Sequence, residues 1–188
     1  METKSAAEAT LKNELDIPHW FAMKAGKKES LAMSVFEKAG LRAYCPYAKT
    51  TITVQGKKVI TERPLIPNTV FVYSSFRVLN AVKNLNSFIT YSYRKVGDGY
   101  RALQVPTHEM ELFIASASKM QEDITYFMPN EVELKKGDKV RIIGGVFDGY
   151  EGVLLKAKGR GKRMFLINFE MLGALGTHIA PEYIQVIR

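Results

Sequence analysis

The stretch from Lys136 to Ile167, KGDKVRIIGGVFDGYEGVLLKAKGRGKRMFLI, is the part of this chain that most narrows what it can fold into. Val140, Ile142 and Val146 recur at even spacing, which predicts a half-buried β-strand. Gly144, Gly145, Gly149 and Gly152 then crowd a short span. That pattern suits a tight crossing, where a positive φ or a close backbone approach excludes a Cβ. Val153 and Leu155 fall on one face of the next strand, Lys156 and Lys158 on the other. The basic run from Lys158 to Arg163 turns the chain, and Met164 to Phe169 returns as a strand.

The whole chain has 188 residues, 46% of them apolar, enough for one large or two small domains with packed cores. Its net charge of +8 is unevenly placed. Residues 135–188 carry ten Lys/Arg against five Asp/Glu, whereas residues 1–134 carry seventeen against fourteen. Such a balance suits a polyanionic partner, although mild basicity also serves solubility. Cys45 is the only cysteine, which excludes an intramolecular disulfide and a thiolate zinc site. There is no apolar leader segment, and no apolar run reaches the length of a membrane span, so a soluble, cytoplasmic protein is expected. His19, His108 and His178 stand apart from Cys45 and from any carboxylate at ligand or triad spacing. Gly144-Gly145 lacks the Gly-Lys-Ser/Thr of a phosphate loop. No enzymatic activity, catalytic residue, metal or cofactor is therefore expected.

Before this stretch, residues 1–16 read as a polar, alanine-rich flexible tail with at most a short helix from Ser5. His19 to Met23 reads as a first strand, with Trp20 and Phe21 in the core. A basic turn (Lys24, Gly26, Lys27, Lys28) leads into a helix whose Leu31, Val35, Phe36 and Ala39 share a face, closed by Gly40. Leu41 to Tyr47 predicts a second strand, followed by a hairpin turning at Gln55-Gly56. Thr69 to Tyr73 is the strongest strand signal. A short helix over Phe76 to Leu85 with Val78, Leu79 and Val82 inward follows, then a hairpin turning at Gly97-Asp98-Gly99. From Thr107 a helix repeats Met110, Phe113, Ile114, Ala117 and Met120 on one face, with Glu109 and Glu111 complementing its dipole. Residues 123–135 read as a linker. The order βαββαβα followed by short strands predicts an α+β domain and a separate all-β module.

The run GDKVRIIGGVFDGYEGVLL resembles a KOW motif, a small SH3-like barrel of transcription elongation factors and some ribosomal proteins. Upstream, three features resemble the N-terminal domain of the NusG family. They are the Trp20-Phe21 pair, the helix after Gly26-Lys27-Lys28-Glu29, and the loop from Arg63 to Val72, RPLIPNTVFV. The resemblance implies an α+β fold: a NusG N-terminal-type sandwich with antiparallel sheet over residues 17–122, then a KOW barrel over 136–188. Four details resemble the specialised UpxY-type paralogues: PLIPNTVFV, Tyr91 to Arg94, Gln104-Val105-Pro106 before Glu109-Met110, and the glycine-rich run itself. Those paralogues are antiterminators acting in the long leaders of surface (capsular) polysaccharide operons.

This resemblance implies a surface that docks on the clamp helices of RNA polymerase, matched here at Ile66, Pro67 and Thr69. Two prolines bracketing apolar residues in a loop also single out Pro64. An aromatic pair and a glycine of the housekeeping pattern are replaced by Ile66, Asn68 and Thr69; Asn tolerates positive φ, so the loop shape is expected to survive. Tyr47, Phe88 and Tyr91 are expected to supply the aromatic area. Lys24, Lys27 and Lys28 are candidates for the displaced DNA strand, against the alternative of a solvated helix start. Lys158, Arg160, Lys162 and Arg163 are candidates for nascent RNA or a ribosomal surface, against an ordinary charged hairpin tip. Phe147 matches a family position that meets protein partners, with a ribosomal protein or a termination factor as candidates, against the alternative of a half-buried barrel residue. The alternative to an antiterminator is an RNA- or ribosome-binding KOW protein acting in translation.

Overall fold

The computed structural model describes residues 15–120, 124–129, 131, 137–155 and 163–187. Its elements run β1 (His19–Lys24), α1 (Glu29–Lys38), β2 (Arg42–Tyr44), β3 (Tyr47–Val54), β4 (Lys57–Pro64), β5 (Thr69–Ser74), α2 (Phe76–Asn84) and β6 (Thr90–Tyr91). Then come β7 (Tyr93–Val96), β8 (Gly99–Ala102), β9 (Gln104–Val105), α3 (Thr107–Lys119) and β10 (Thr125–Phe127). The chain continues through β11 (Asp138–Ile142), β12 (Glu151–Leu155), β13 (Met164–Phe169), β14 (Gly173–Thr177) and β15 (Ile184–Val186). Every strand pairing among the described residues is antiparallel, and the class is α+β as expected. Contacts divide the chain into two compact units. One runs to Pro46 and resumes over Ile66–Thr107; the other comprises Tyr47–Leu65 and the chain from His108 onward.

In the first unit β1 pairs with β5, β6 and β9, and β2 lies outside β5. Alternation along β1 sends Phe21 and Met23 to one face, where they meet Val70, Val72, Phe36, Leu79 and Ile89. Trp20, on the opposite face, is also fully buried, with Arg42 over its ring at 5.0 Å and Tyr73 at 5.6 Å. Gly40 has φ +70°, and its N–H donates to Glu37 O as the chain leaves α1. Ser75 caps α2, its Oγ accepting from Val78 N at 3.4 Å.

Two helix faces differ from expectation. Ala32 and Phe36 are the buried side chains of α1, while Leu31 is 50% exposed. Consecutive helical positions diverge by about 100°, so a stripe centred on Ala32 and Phe36 leaves Leu31 on the flank. For the same reason Leu79 is buried in α2 and Val78 is exposed. The second strand is also shorter than predicted, β2 ending at Tyr44.

In the second unit β3 and β4 form an eight-residue ladder turning at Gln55 and Gly56, whose φ angles are +49° and +76°. Two positive φ values are the signature of the hairpin turn that matches strand twist. A six-stranded sheet has the order β10-β14-β13-β12-β11-β15, with Phe127, Met164, Leu166 and Ala174 clustered in its core. Residues 123–135 read as a linker, yet Thr125–Phe127 pairs with β14 and Phe127 is buried. Three residues are too few to show a period; the pairing, not the local pattern, makes that strand.

Val140 and Ile142 point inward as expected, but Val146 is 67% exposed and Phe147 is buried in its place. Gly144 and Gly145, with φ +92° and +70°, interrupt the two-residue alternation, so the side chain after them changes face. Gly152 meets the second condition for glycine: a Cβ there would overlap the Leu166 carbonyl and the Phe165 ring. Glu109, expected to complement the dipole of α3, is buried and accepts from Met171 N at 2.7 Å. Phe113 packs edge-on to Phe169 at 5.2 Å, and the Lys119 ammonium sits 4.3 Å over Tyr150.

Candidate functional site

At one end of β1 three segments of the first unit are tied together around Asn68. Its φ is +59°, and its Oδ1 accepts from Ala25 N at 3.1 Å and Lys27 N at 3.0 Å. Its carbonyl accepts a second branch from Ala25 N at 3.2 Å, and its own N–H donates to Glu29 Oε1 at 2.7 Å. One asparagine thus satisfies the 25–28 turn and is itself held by the first residue of α1. Gly26, with φ +56°, lies close to Phe88: a Cβ would come to 3.3 Å from the Phe88 carbonyl oxygen. Above it the Lys28 ammonium stands 5.6 Å from the Phe88 ring centre. Lys24 is opposite Thr69 on one side and Thr90 on the other.

The outcome is a surface that combines cations with apolar groups. Lys24, Lys27 and Lys28 are exposed, Pro67 is exposed, and Ile66 and Phe88 are half-buried. Two residues expected on this surface are buried instead. Thr69 is buried, its Oγ1 donating to Pro67 O at 3.3 Å, and Cys45 Sγ donates to the Thr69 carbonyl at 3.7 Å. Tyr91 is only 7% exposed, packed against Phe21 and Phe76 and donating to Asn80 Oδ1 at 3.1 Å. Burial, with a smaller contribution from Tyr93, pushes its phenol up to about 12. Neither side chain is therefore part of the exposed surface: β5 is covered on both faces, and the pairing of β6 sets Tyr91 opposite Met23.

A family profile described as transcription termination factor nusG matches residues 18–114, the span that contains every part of this surface. The chain belongs to the NusG family. Proteins of this family bind RNA polymerase, and this member's role is in transcription elongation and antitermination. A solved structure described as "Domain interaction in Thermotoga maritima NusG" is similar over 92% of this chain and 98% of that one, at 19% identity and a TM-score of 0.48. No curated protein matches the chain.

The remaining candidate residues of this NusG-family chain are in the second unit. Tyr47 and Pro64 face each other in register at the base of the β3–β4 hairpin, Tyr47 36% exposed and Pro64 half-buried. Arg163 donates to Asp138 Oδ2 at 3.0 Å and lines an open groove with Leu154, His178, Pro181 and Ile184. Lys158, Arg160 and Lys162 lie outside the described residues. Phe147, expected to meet a partner, is 4% exposed, edge-on to Tyr150 at 5.6 Å and near Phe165 at 6.3 Å. Its ring serves the sheet's own core in this structure, and Val146 is the exposed apolar side chain of that turn. Among the described residues no group of three His, Cys, Asp or Glu could hold a metal ion, and no helix is long and apolar enough to cross a membrane.

The Asn68–Glu29 bond was not legible in the sequence. Asn after Pro signals a turn and tolerates a positive φ. Nothing local says that its carboxylate partner lies 39 residues earlier.

Proposed function

We propose that this protein is an operon-specific antiterminator of the UpxY type, a non-enzymatic factor serving the long leader of a surface polysaccharide operon. The surface around Asn68 is proposed to seat on the clamp helices of RNA polymerase through Ile66, Pro67 and Phe88. Lys24, Lys27 and Lys28 then run along the displaced DNA strand. The observation that carries this reading is the asparagine tie, which fixes the cationic turn and the apolar loop as one surface. A surface ordered beforehand loses little conformational entropy on docking. Preferential docking on the closed, elongating clamp would then shift the polymerase away from its paused form. The glycine-rich sheet is read as a KOW module. The UpxY assignment rests on the sequence elements PLIPNTVFV and Tyr91 to Arg94.

The test is single-round transcription by the cognate polymerase on a responsive long leader, using the full chain throughout. The unaltered protein is expected to lengthen the run-off product. The combined I66A/P67A/F88A variant is expected to bind polymerase at least about tenfold more weakly, as loss of a docking anchor should. Replacing Lys24, Lys27 and Lys28 by Ala should lower the salt slope of binding to the elongation complex by up to about two units. An unaltered protein that leaves pausing and read-through unchanged would overturn the antitermination reading. An unchanged salt slope would remove the strand path alone.

A further inference from the structure

The hairpin of β7 and β8 carries chemistry that the polymerase surface does not use. Its base is buried and anchored: Ser92 N donates to Ala22 O at 2.9 Å, and Leu103 N donates to Ser92 O at 2.8 Å. Beyond that base every residue from Tyr93 to Arg101 is exposed. Gly97, with φ +58°, and Asp98 make the two-residue turn, since Val96 is opposite Gly99. A two-stranded ribbon wet on both faces gains little from burial. The residues it displays are nevertheless two tyrosines, two arginines and a lysine.

Register sorts them into two faces. Tyr93 and Lys95 share one, with Tyr100 directly opposite Lys95 and the small Ala102 opposite Tyr93. The two phenol rings are therefore diagonal neighbours, 61% and 72% exposed. Diagonal positions in an antiparallel pair lie about 7–8 Å apart. At that spacing both rings are within reach of successive bases of one strand. On the other face Arg94 is directly opposite Arg101. Cations at opposed positions, with Lys95 beside them, concentrate positive potential along the ribbon, which suits a polyanion. Residues 93–102 carry Arg94, Lys95 and Arg101 against a single acid, Asp98.

We infer that the β7–β8 hairpin binds single-stranded RNA, with Tyr93 and Tyr100 stacking bases and Arg94, Lys95 and Arg101 meeting phosphates. Stacking requires base faces that a duplex hides, so the partner is a single strand. Phenolic hydroxyls at the ring tips can hydrogen-bond a ribose 2′-OH, which DNA lacks. In a transcription factor this places a contact with the transcript on an element separate from the Lys24–Lys28 turn. The inference needs no polymerase and does not depend on the clamp reading.

The test is fluorescence anisotropy of labelled oligouridylate and oligothymidylate of equal length with the purified full chain, without polymerase. The unaltered protein should bind the RNA more tightly than the DNA. Y93A/Y100A should weaken RNA binding by tenfold or more, since each base–aromatic stack lost costs about five- to a hundredfold. Y93F/Y100F should keep most of the affinity while erasing the preference for RNA. Replacing Arg94, Lys95 and Arg101 by Gln should lower the salt slope by about two units. All of these side chains are exposed, and unchanged melting curves would verify that folding is intact. Equal binding of the two oligonucleotides by the unaltered protein, or full RNA affinity in Y93A/Y100A, would overturn the inference.

Discussion

Two turns in this protein hold their backbones in left-handed conformations by opposite means. At Gly144–Tyr150 the chain uses glycine itself, with φ +92°, +70° and +79° at Gly144, Gly145 and Gly149. The side-chain bond there is local: Asp148 Oδ1 accepts from Gly144 N, four residues away, at 2.6 Å. At Asn68 a residue with a Cβ takes φ +59°, held by partners 39 to 43 residues distant. The first device is written into a short segment and needs little from the rest of the fold. The second exists only once β1, the 25–28 turn and α1 are assembled. A turn of the second kind couples a surface to the integrity of the unit behind it.

Glycine positions offer the strongest way to break this comparison. Gly173 has φ +85°, and a Cβ there would overlap the Phe127 carbonyl, whereas Gly145 has φ +70° and open space. Gly173→Ala should cost about 3 kcal/mol or more, combining backbone strain with displaced packing. Gly145→Ala should cost only about 1–2 kcal/mol, the left-handed penalty alone. Hydrogen exchange of the β13 and β14 amides reads both. Equal losses would mean that conformation, not space, limits these turns.

Asn68→Ala should follow at about 2 kcal/mol, from a strained φ and two backbone donors left without Oδ1. Asn68→Gly removes the bonds but keeps the conformation, and should cost about half as much. Trp20, the only tryptophan, is buried in the same unit, so its fluorescence reports the unfolding. If Gly proved as damaging as Ala, the hydrogen bonds rather than the backbone conformation would be what matters.

The last expected effect is confined to alkaline pH. Burial pushes Tyr44 and Tyr91, both in the first unit, up to about 12 from an ordinary 10.0. Between those values the unfolded chain has released protons that the folded unit retains. Their contribution is therefore full below pH 10.0 and is lost as pH rises towards about 12. In the second unit Tyr126 is also raised, by burial and by Glu131. Denaturant titrations followed by Trp20 across this window should show stability falling. A flat profile would mean that the two phenols are solvated.

Much of this architecture was legible because it rests on local rules. Runs of apolar, aromatic and β-branched residues marked β1 and β5, Gly40 marked the end of α1, and Gln55-Gly56 marked a hairpin. The positive φ at Asn68 was legible too, because Asn tolerates that conformation. What failed was assignment of individual side chains to inside or outside. Thr69 and Tyr91, expected on the surface, are buried, and Phe147 takes the buried one of its two readings, while Leu31, Val78 and Val146, expected inside, are exposed.

The sequence by itself determined which segments are strands and helices, where the chain must turn, and that glycine is required where a Cβ has no room. Those properties follow from steric limits on each residue and from the periods of the two regular structures. Tertiary structure alone decided that Asn68 ties the 25–28 turn to Glu29, that Glu109 is buried against Met171 N, and that Thr125–Phe127 is a strand. Each depends on a partner distant in the chain. A donor, acceptor or strand edge carries no mark of which distant group will meet it, because that choice is made by packing the whole unit.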